Sequence, residues 1–178
     1  MRSDADALTH EAVRTALREF GREVRRHDPH RPISTGNAFP RPSAWHLMQR
    51  QGWTRDSESQ FEQMLLGDTP DPVNVISVRL YDREDAQRLA PAMRASKQSG
   101  KALFVGEFGV PGLSSPENRE RLQGLIQQVQ TNAIPFAALW VFDFKGQEGT
   151  WNVTATNDRR WQLQAWLPAA SWRHPPHP

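Results

Sequence analysis

The stretch Lys101-Ala102-Leu103-Phe104-Val105-Gly106-Glu107-Phe108-Gly109 decides the reading of this chain. Four apolar or small residues run without alternation into a glycine, then a carboxylate, then a second glycine. An uninterrupted apolar run of this length suits a parallel strand buried on both faces. A glutamate at the end of such a strand has two accounts: a salt-bridged strand terminus, or a charge kept there for chemistry. The pattern by itself weighs them about equally.

Working outward, the same grammar repeats. Val73–Tyr81 is a second apolar, β-branched strand, and Asp85–Ser99 is a helix with Pro91 inside it and Gly100 after it. Ser115-Pro116 opens another helix, with serine as cap and proline in the first turn. Leu122, Leu125, Ile126, Val129 and Ala133 mark its buried stripe. Ile134–Phe144 is a further apolar strand, followed by a loop over 146–156 and a last helix, capped at Asn157-Asp158, that carries Trp161 and Trp166.

Upstream, Val13, Leu17, Phe20 and Val24 fall on one face of a helix over residues 8–27, ended by Asp28-Pro29. Arg31–Gly36 is a short strand. The long connection after it holds two short helices, near 43–51 and 58–66. Strand and helix therefore alternate four times, the pattern of a parallel sheet with right-handed crossovers. The fold class is α/β, built of parallel βα units, with strands near 31–36, 73–81, 101–108 and 134–144. No internal boundary is visible across 1–172, and the tail 173–178, Arg-His-Pro-Pro-His-Pro, is expected to be disordered.

Composition narrows the function classes. The 178 residues carry 22 basic and 20 acidic side chains, a net charge of +2. That is too small an excess for a nucleic-acid surface, and the arginines of 14–31 alternate with Glu11, Glu19 and Glu23 as on a solvated helix face. There is no cysteine, so disulfides and thiolate metal sites are excluded. His10, His27, His30 and His46 lack paired metal-ligand spacing and read as solvent-exposed polar residues. No run approaches the ~20 apolar residues of a membrane span, and Met1–Asp6 has no apolar core of the signal-peptide kind. Neither a glycine-rich phosphate loop nor a Gly-x-Ser-x-Gly elbow is present, which weakens a phosphate-binding or unrelated α/β-enzyme reading. The expectation is no metal, no cofactor, no nucleic acid and no membrane, with localisation left open.

In parallel βα folds the reactive side chains gather at the C-terminal strand ends. Here those ends carry Asn37, then Arg79, Tyr81 and Asp82, then Glu107, then Trp140, Asp143 and Phe144. Carboxylates, a phenol, a guanidinium and an indole form a mouth suited to sugars, because indoles stack on pyranose faces and carboxylates act as acid, base or nucleophile.

Four stretches, in order, resemble the second half of retaining glycoside hydrolases of the large clan A, the family 5 cellulase and mannanase type. Val75–Tyr81 is similar to the sixth strand of that family, which typically reads Ile-Ser-x-His-x-Tyr. Phe104–Gly109 resembles the seventh, whose glutamate is the nucleophile, and Ala137–Phe144 the eighth, whose tryptophan lines a sugar subsite. Residues 8–36 resemble the fourth helix and fifth strand. The resemblance implies strands 5–8 of a (β/α)8 barrel. It implies Glu107 as nucleophile, Tyr81 as the tyrosine that orients it, and Trp140 as a stacking platform. Asn37, Trp45 and Trp151 are further candidates for lining subsites, with packing the commoner role for each. Two departures stand out. Arg79 occupies the histidine position, where it would bind a substrate oxygen or pair with Glu107. The acid/base glutamate, which follows an asparagine on the fourth strand of the family, has no counterpart. The implied function is hydrolysis of β-linked oligo- or polysaccharides by the nucleophile half, weak or absent in the chain alone. The alternative is a non-catalytic carbohydrate-binding or scaffold protein derived from such an enzyme. An open half leaves strand edges bare, which points to a fragment, to pairing with a separate N-terminal half or a second copy, or to a closure different from that of the family. Relatives of the type are commonly secreted.

Overall fold

The computed structural model describes residues 8–170, with side chains through 167. Element order is α1 (His10–His27), α2 (Ala44–Met48), α3 (Glu58–Gly67), β1 (Val75–Leu80), α4 (Arg83–Ser99), β2 (Ala102–Phe108), α5 (Pro116–Thr131), β3 (Phe136–Leu139), a 3-10 turn (Lys145–Gln147) and α6 (Trp161–Ala170). The strands form one parallel sheet in the order β1-β2-β3. Tertiary contacts group the chain into two compact units. The first comprises everything up to Val78 with Ala90–Phe104, the second Arg79–Leu89 with everything from Val105. The expected tail 173–178 lies outside the described residues.

In the first unit, Ile33, Met64, Leu65, Val73, Ile76, Val78, Ala92, Ala95 and Leu103 are buried. The expected strand over 31–36 is reduced to a single parallel bridge between Ser34 and Val75. The cause is local. Pro32 has no N–H to give a ladder, and the Ile33 amide donates to the Asn74 side chain at 2.8 Å rather than to a strand carbonyl. Lys101 ties the entrance of β2 to the turn before β1, its Nζ donating to the Val73 carbonyl at 2.8 Å and pairing with Asp71 at 2.8 Å.

Helix α1 begins two residues later than the pattern suggests, with Thr9 as N-cap, and its apolar stripe is not the buried face. Val13 is 44% and Phe20 51% exposed, and the one buried residue is Gly21. A Cβ there would lie 3.2 Å from the Pro72 ring, so glycine allows the helix to close on the 72–73 turn. Arg14 departs from the solvated-face expectation. Its side chain is 16% exposed and its Nε pairs with Asp68 at 3.1 Å. His46 departs likewise: its ring meets the Asp56 carboxylate at 2.7 Å, and both side chains are largely covered.

In the second unit, Leu80, Leu89, Val105, Phe108, Val110, Leu122, Ile126, Val129, Val153 and Trp161 are buried. Helix α5 follows the expected signals. Ser115 accepts from the Asn118 amide at 3.1 Å, and the stripe Leu122, Leu125, Ile126, Val129 packs inward. Ala133 lies past the helix end with φ of 54°. Gln162, fully buried, donates to the Val110 carbonyl at 2.8 Å and so satisfies the backbone just beyond β2. Phe108 meets Trp166 edge-on at 4.7 Å.

The last strand is shorter than its apolar run. β3 stops at Leu139, and Phe136 on it is 59% exposed. Past Trp140 the chain pairs instead with the segment that closes the following loop. Val153 N donates to Val141 O at 2.8 Å, and Asp143 N to Val153 O at 3.0 Å. The apolar pattern specifies extended backbone; it does not say which partner the backbone takes.

Candidate functional site

Glu107 stands one residue before the end of β2, flanked by the buried Val105 and Phe108, and its side chain is 19% exposed. Strand β1 delivers its neighbours. Arg79 and Tyr81 lie two apart, so both side chains leave the same face of the extended chain. The Tyr81 hydroxyl donates to Glu107 Oε2 at 2.8 Å, and Arg79 Nε lies 3.3 Å from that same oxygen. Oε1 carries no hydrogen bond from the described residues. Burial, reinforced by the Glu107 carboxylate, pushes the Tyr81 phenol well above its ordinary pKa. The phenol is therefore a neutral donor to a carboxylate across the physiological range.

The backbone beneath Tyr81 is held by the first turn of α4. Tyr81 N donates to Asp85 Oδ2 at 2.9 Å, and Asp85 N to Asp82 Oδ1 at 2.9 Å. Burial, then the nearby Asp82, raises the Asp85 carboxyl, against the lowering effect of the Tyr81 amide. The tyrosine ring meets Trp151 edge-on, centroids 5.3 Å apart.

Trp140 directly follows β3, and its amide donates to Phe108 O at 2.7 Å, next to Glu107 in sequence. The peptide bond after it, Trp140–Val141, is cis. Its ring is half-buried and its indole N–H donates to Gln147 Oε1 at 2.9 Å. Gly109 makes the close approach possible: a Cβ there would sit 2.7 Å from the Trp140 carbonyl.

The structure thus brings Arg79, Tyr81 and Glu107 into direct contact, with Trp151 packed on the tyrosine. Asn37 belongs to the first unit, where its amide donates to the Asp68 carbonyl at 3.2 Å. Trp45, in that unit as well, donates its indole N–H to Gln63 at 3.2 Å. Two contributors escaped the sequence reading, Asp85 and Gln147. Asp85, four residues past Tyr81 where a helix begins, was recognisable as a first-turn acid; nothing in the sequence marks Gln147. A cleft of about 440 Å³ is lined by Tyr81, Ala86, Gly124 and Leu125 but not by Glu107 or Arg79.

Chemically, the group is a carboxylate steadied by a neutral donor and a fixed cation, with one oxygen free. Such a carboxylate suits nucleophilic attack or electrostatic stabilisation of a developing cation.

Known structures carry the same architecture. An endo-1,4-β-mannanase from Rhizomucor miehei superposes on 93% of this chain with a TM-score of 0.62 at 14% identity, and 48% of the mannanase is covered. An endo-β-1,4-glucanase from Xanthomonas axonopodis pv. citri matches 92% of the chain at 14% identity, TM-score 0.60, with 56% of its own length covered. A glycoside hydrolase family 5 mannosidase from Rhizomucor miehei matches 88% at 10% identity, TM-score 0.58, with 47% covered. The shared feature is the fold, parallel βα units that superpose on part of the barrel of each of these enzymes. The chain spans about half the length of these enzymes. No family model matches the sequence, and no curated relative matches it either.

Proposed function

We propose that the half-barrel carries the nucleophile of a retaining glycoside hydrolase acting on β-linked glycans, and that Glu107 is that nucleophile. The observation that supports this best is the crowding of one oxygen of Glu107 by a hydrogen-bond donor and a paired cation. Tyr81 at 2.8 Å and Arg79 at 3.3 Å hold Oε2 and leave Oε1 for the reacting carbon. In the first step Oε1 bonds to the anomeric carbon as the bond from that carbon to the leaving oxygen breaks. The leaving oxygen takes a proton from an acid. Water then attacks the glycosyl-enzyme, the base removes its proton, and the Glu107 carboxylate is released.

The acid/base partner must stand about 5–5.5 Å from the nucleophile. The 178 residues contain no Asn-Glu dipeptide of the family kind, so the reading assigns that carboxylate to another segment or chain. Without it, a factor of about 10²–10⁴ in rate is lost for leaving groups that need protonation. An activated aryl glycoside does not need it. The expected result is a burst of aryl alcohol from the folded protein that disappears in Glu107→Gln. A folded protein that releases no aryl alcohol contradicts the proposal.

The ion pair between Arg79 and Glu107 favours a second reading. A carboxylate engaged by a permanent cation attacks carbon less readily. In that case the protein binds oligosaccharide without cleaving it, and Glu107→Gln leaves the affinity unchanged.

A further inference from the structure

The loop after Trp140 is organised around one residue. Gln147 uses its side chain and its backbone on two different aromatic rings. Its Oε1 accepts the Trp140 indole N–H at 2.9 Å. Its main-chain carbonyl accepts the amides of Thr150, Trp151 and Asn152 at 3.2, 3.1 and 3.0 Å. The second set folds the chain back so that Trp151 arrives against Tyr81 at 5.3 Å. The loop is anchored independently at its far end. Arg159, 4% exposed, donates from Nε to the Asn152 carbonyl at 2.6 Å and pairs with Glu148 at 3.2 Å, while Asn152 Oδ1 accepts the Phe144 amide at 2.8 Å.

From this geometry we infer that Gln147 is a positioning residue. Its amide oxygen fixes the indole plane of Trp140 as a platform for a sugar ring, while its carbonyl separately fixes Trp151 behind Tyr81. The inference rests on the glycan reading of the site. An indole stacks on a pyranose only when its face is presented to the ring, and a half-buried tryptophan has few constraints on its second side-chain torsion. The hydrogen bond to Gln147 supplies that constraint. The backbone half of the arrangement survives any side-chain change, so the two roles are separable by mutation.

The test uses the whole chain, cellohexaose and mannohexaose as probes, and two readouts. The first is the Trp140 indole N–H resonance, assigned by its absence in Trp140→Phe. Gln147→Leu removes the acceptor, so the resonance should move upfield and exchange faster with water. Gln147→Glu keeps an acceptor oxygen and should restore both. The Tyr81 phenol midpoint should stay put in both variants, because the carbonyl of residue 147 remains. The second readout is affinity for whichever hexasaccharide binds. Gln147→Leu should weaken it by roughly three- to tenfold, the size of one lost hydrogen bond, and should have no further effect in a Trp140→Phe background. An equal loss in that background, no rescue by glutamate, or an unchanged indole resonance overturns the inference. If the wild-type chain binds neither hexasaccharide, the glycan reading fails and the platform role fails with it, whereas the indole resonance still reports whether Gln147 orients Trp140.

Discussion

Replacing Glu107 by glutamine should release the Tyr81 phenol. The two side chains share one hydrogen bond of 2.8 Å, and Tyr81 is the only tyrosine in the chain. Tyrosinate absorbance therefore reports this single group, and the tryptophans do not titrate. Two causes hold the phenol's pKa high, first burial and then the carboxylate. Glutamine leaves the first intact and removes the charge behind the second. A hydrogen bond to a charged acceptor contributes about 1.5–3 kcal/mol when well buried. Glu107 is 19% exposed and Arg79 beside it 46%, so the lower end applies. At about 1.36 kcal/mol per pKa unit, the midpoint should fall by roughly one unit in Glu107→Gln and remain above the free-phenol value near ~10. The sign follows from the raised folded-state pKa. The contact's contribution to stability is complete below the unfolded phenol's pKa and is lost as pH rises through the folded one. Wild type should therefore ionise Tyr81 late, together with alkaline unfolding followed by circular dichroism. The glutamine variant should ionise it earlier, while still folded. A wild-type phenol that titrates near ~10, or equal midpoints in the two proteins, refutes the contact on which the site is built.

Two glycines should respond in opposite directions. Gly109→Ala places a Cβ 2.7 Å from the Trp140 carbonyl and should cost about 1–3 kcal/mol in denaturant unfolding. Gly124→Ala in α5 meets nothing within 4 Å and should stabilise by about 0.5–1 kcal/mol; a destabilised Gly124→Ala would contradict the open surface there. Asp56, 3% exposed at its side chain, accepts the Trp45 and His46 amides at 2.8 and 3.2 Å and the His46 ring at 2.7 Å. Burial tends to raise its carboxyl, but these three donors hold it below the ordinary value. Its contribution is present above the unfolded carboxyl's pKa near ~3.9 and disappears as pH falls through the folded one. Asp56→Ala should therefore cost about 1–2 kcal/mol at neutral pH and converge with wild type in strong acid, as measured by urea unfolding at several pH values.

How much of this was legible beforehand depends on whether each feature is local. Strands β1 and β2 announce themselves through their density of apolar and β-branched residues, although β2 is fully covered on one face only, with Leu103 and Val105 buried and Phe104 between them partly open. Helix α5 does too, since Ser115 and Pro116 act within a turn of where they stand. The strand at 31–36 and the end of β3 differ from the apolar pattern because ladder pairing is not local: Asn74 intercepts Ile33, and residues 151–153 capture 141–143. Periodicity in α1 identified a helix correctly but misassigned the face that is covered, since a glycine packs closest. At the site, Glu107, Tyr81 and Arg79 were named from strand ends and resemblance. Their mutual distances were not readable, and neither were the supports Asp85 and Gln147, whose roles come from where loops return. Asn37 was drawn from a strand that barely exists as one, and its amide is used on the Asp68 carbonyl.

The central claim is that Glu107 forms a covalent bond to sugar. The direct measurement is mass spectrometry of the folded chain after incubation with 2-deoxy-2-fluoro-glycosides of glucose and mannose that bear a dinitrophenolate leaving group. Because the leaving group needs no acid and the fluorine slows hydrolysis, the account predicts a mass gain of one fluoroglycosyl unit. That gain should map to the peptide containing Glu107 and be absent from Glu107→Gln. An unmodified Glu107 in a folded protein, or label on another residue that persists in Glu107→Gln, would contradict it.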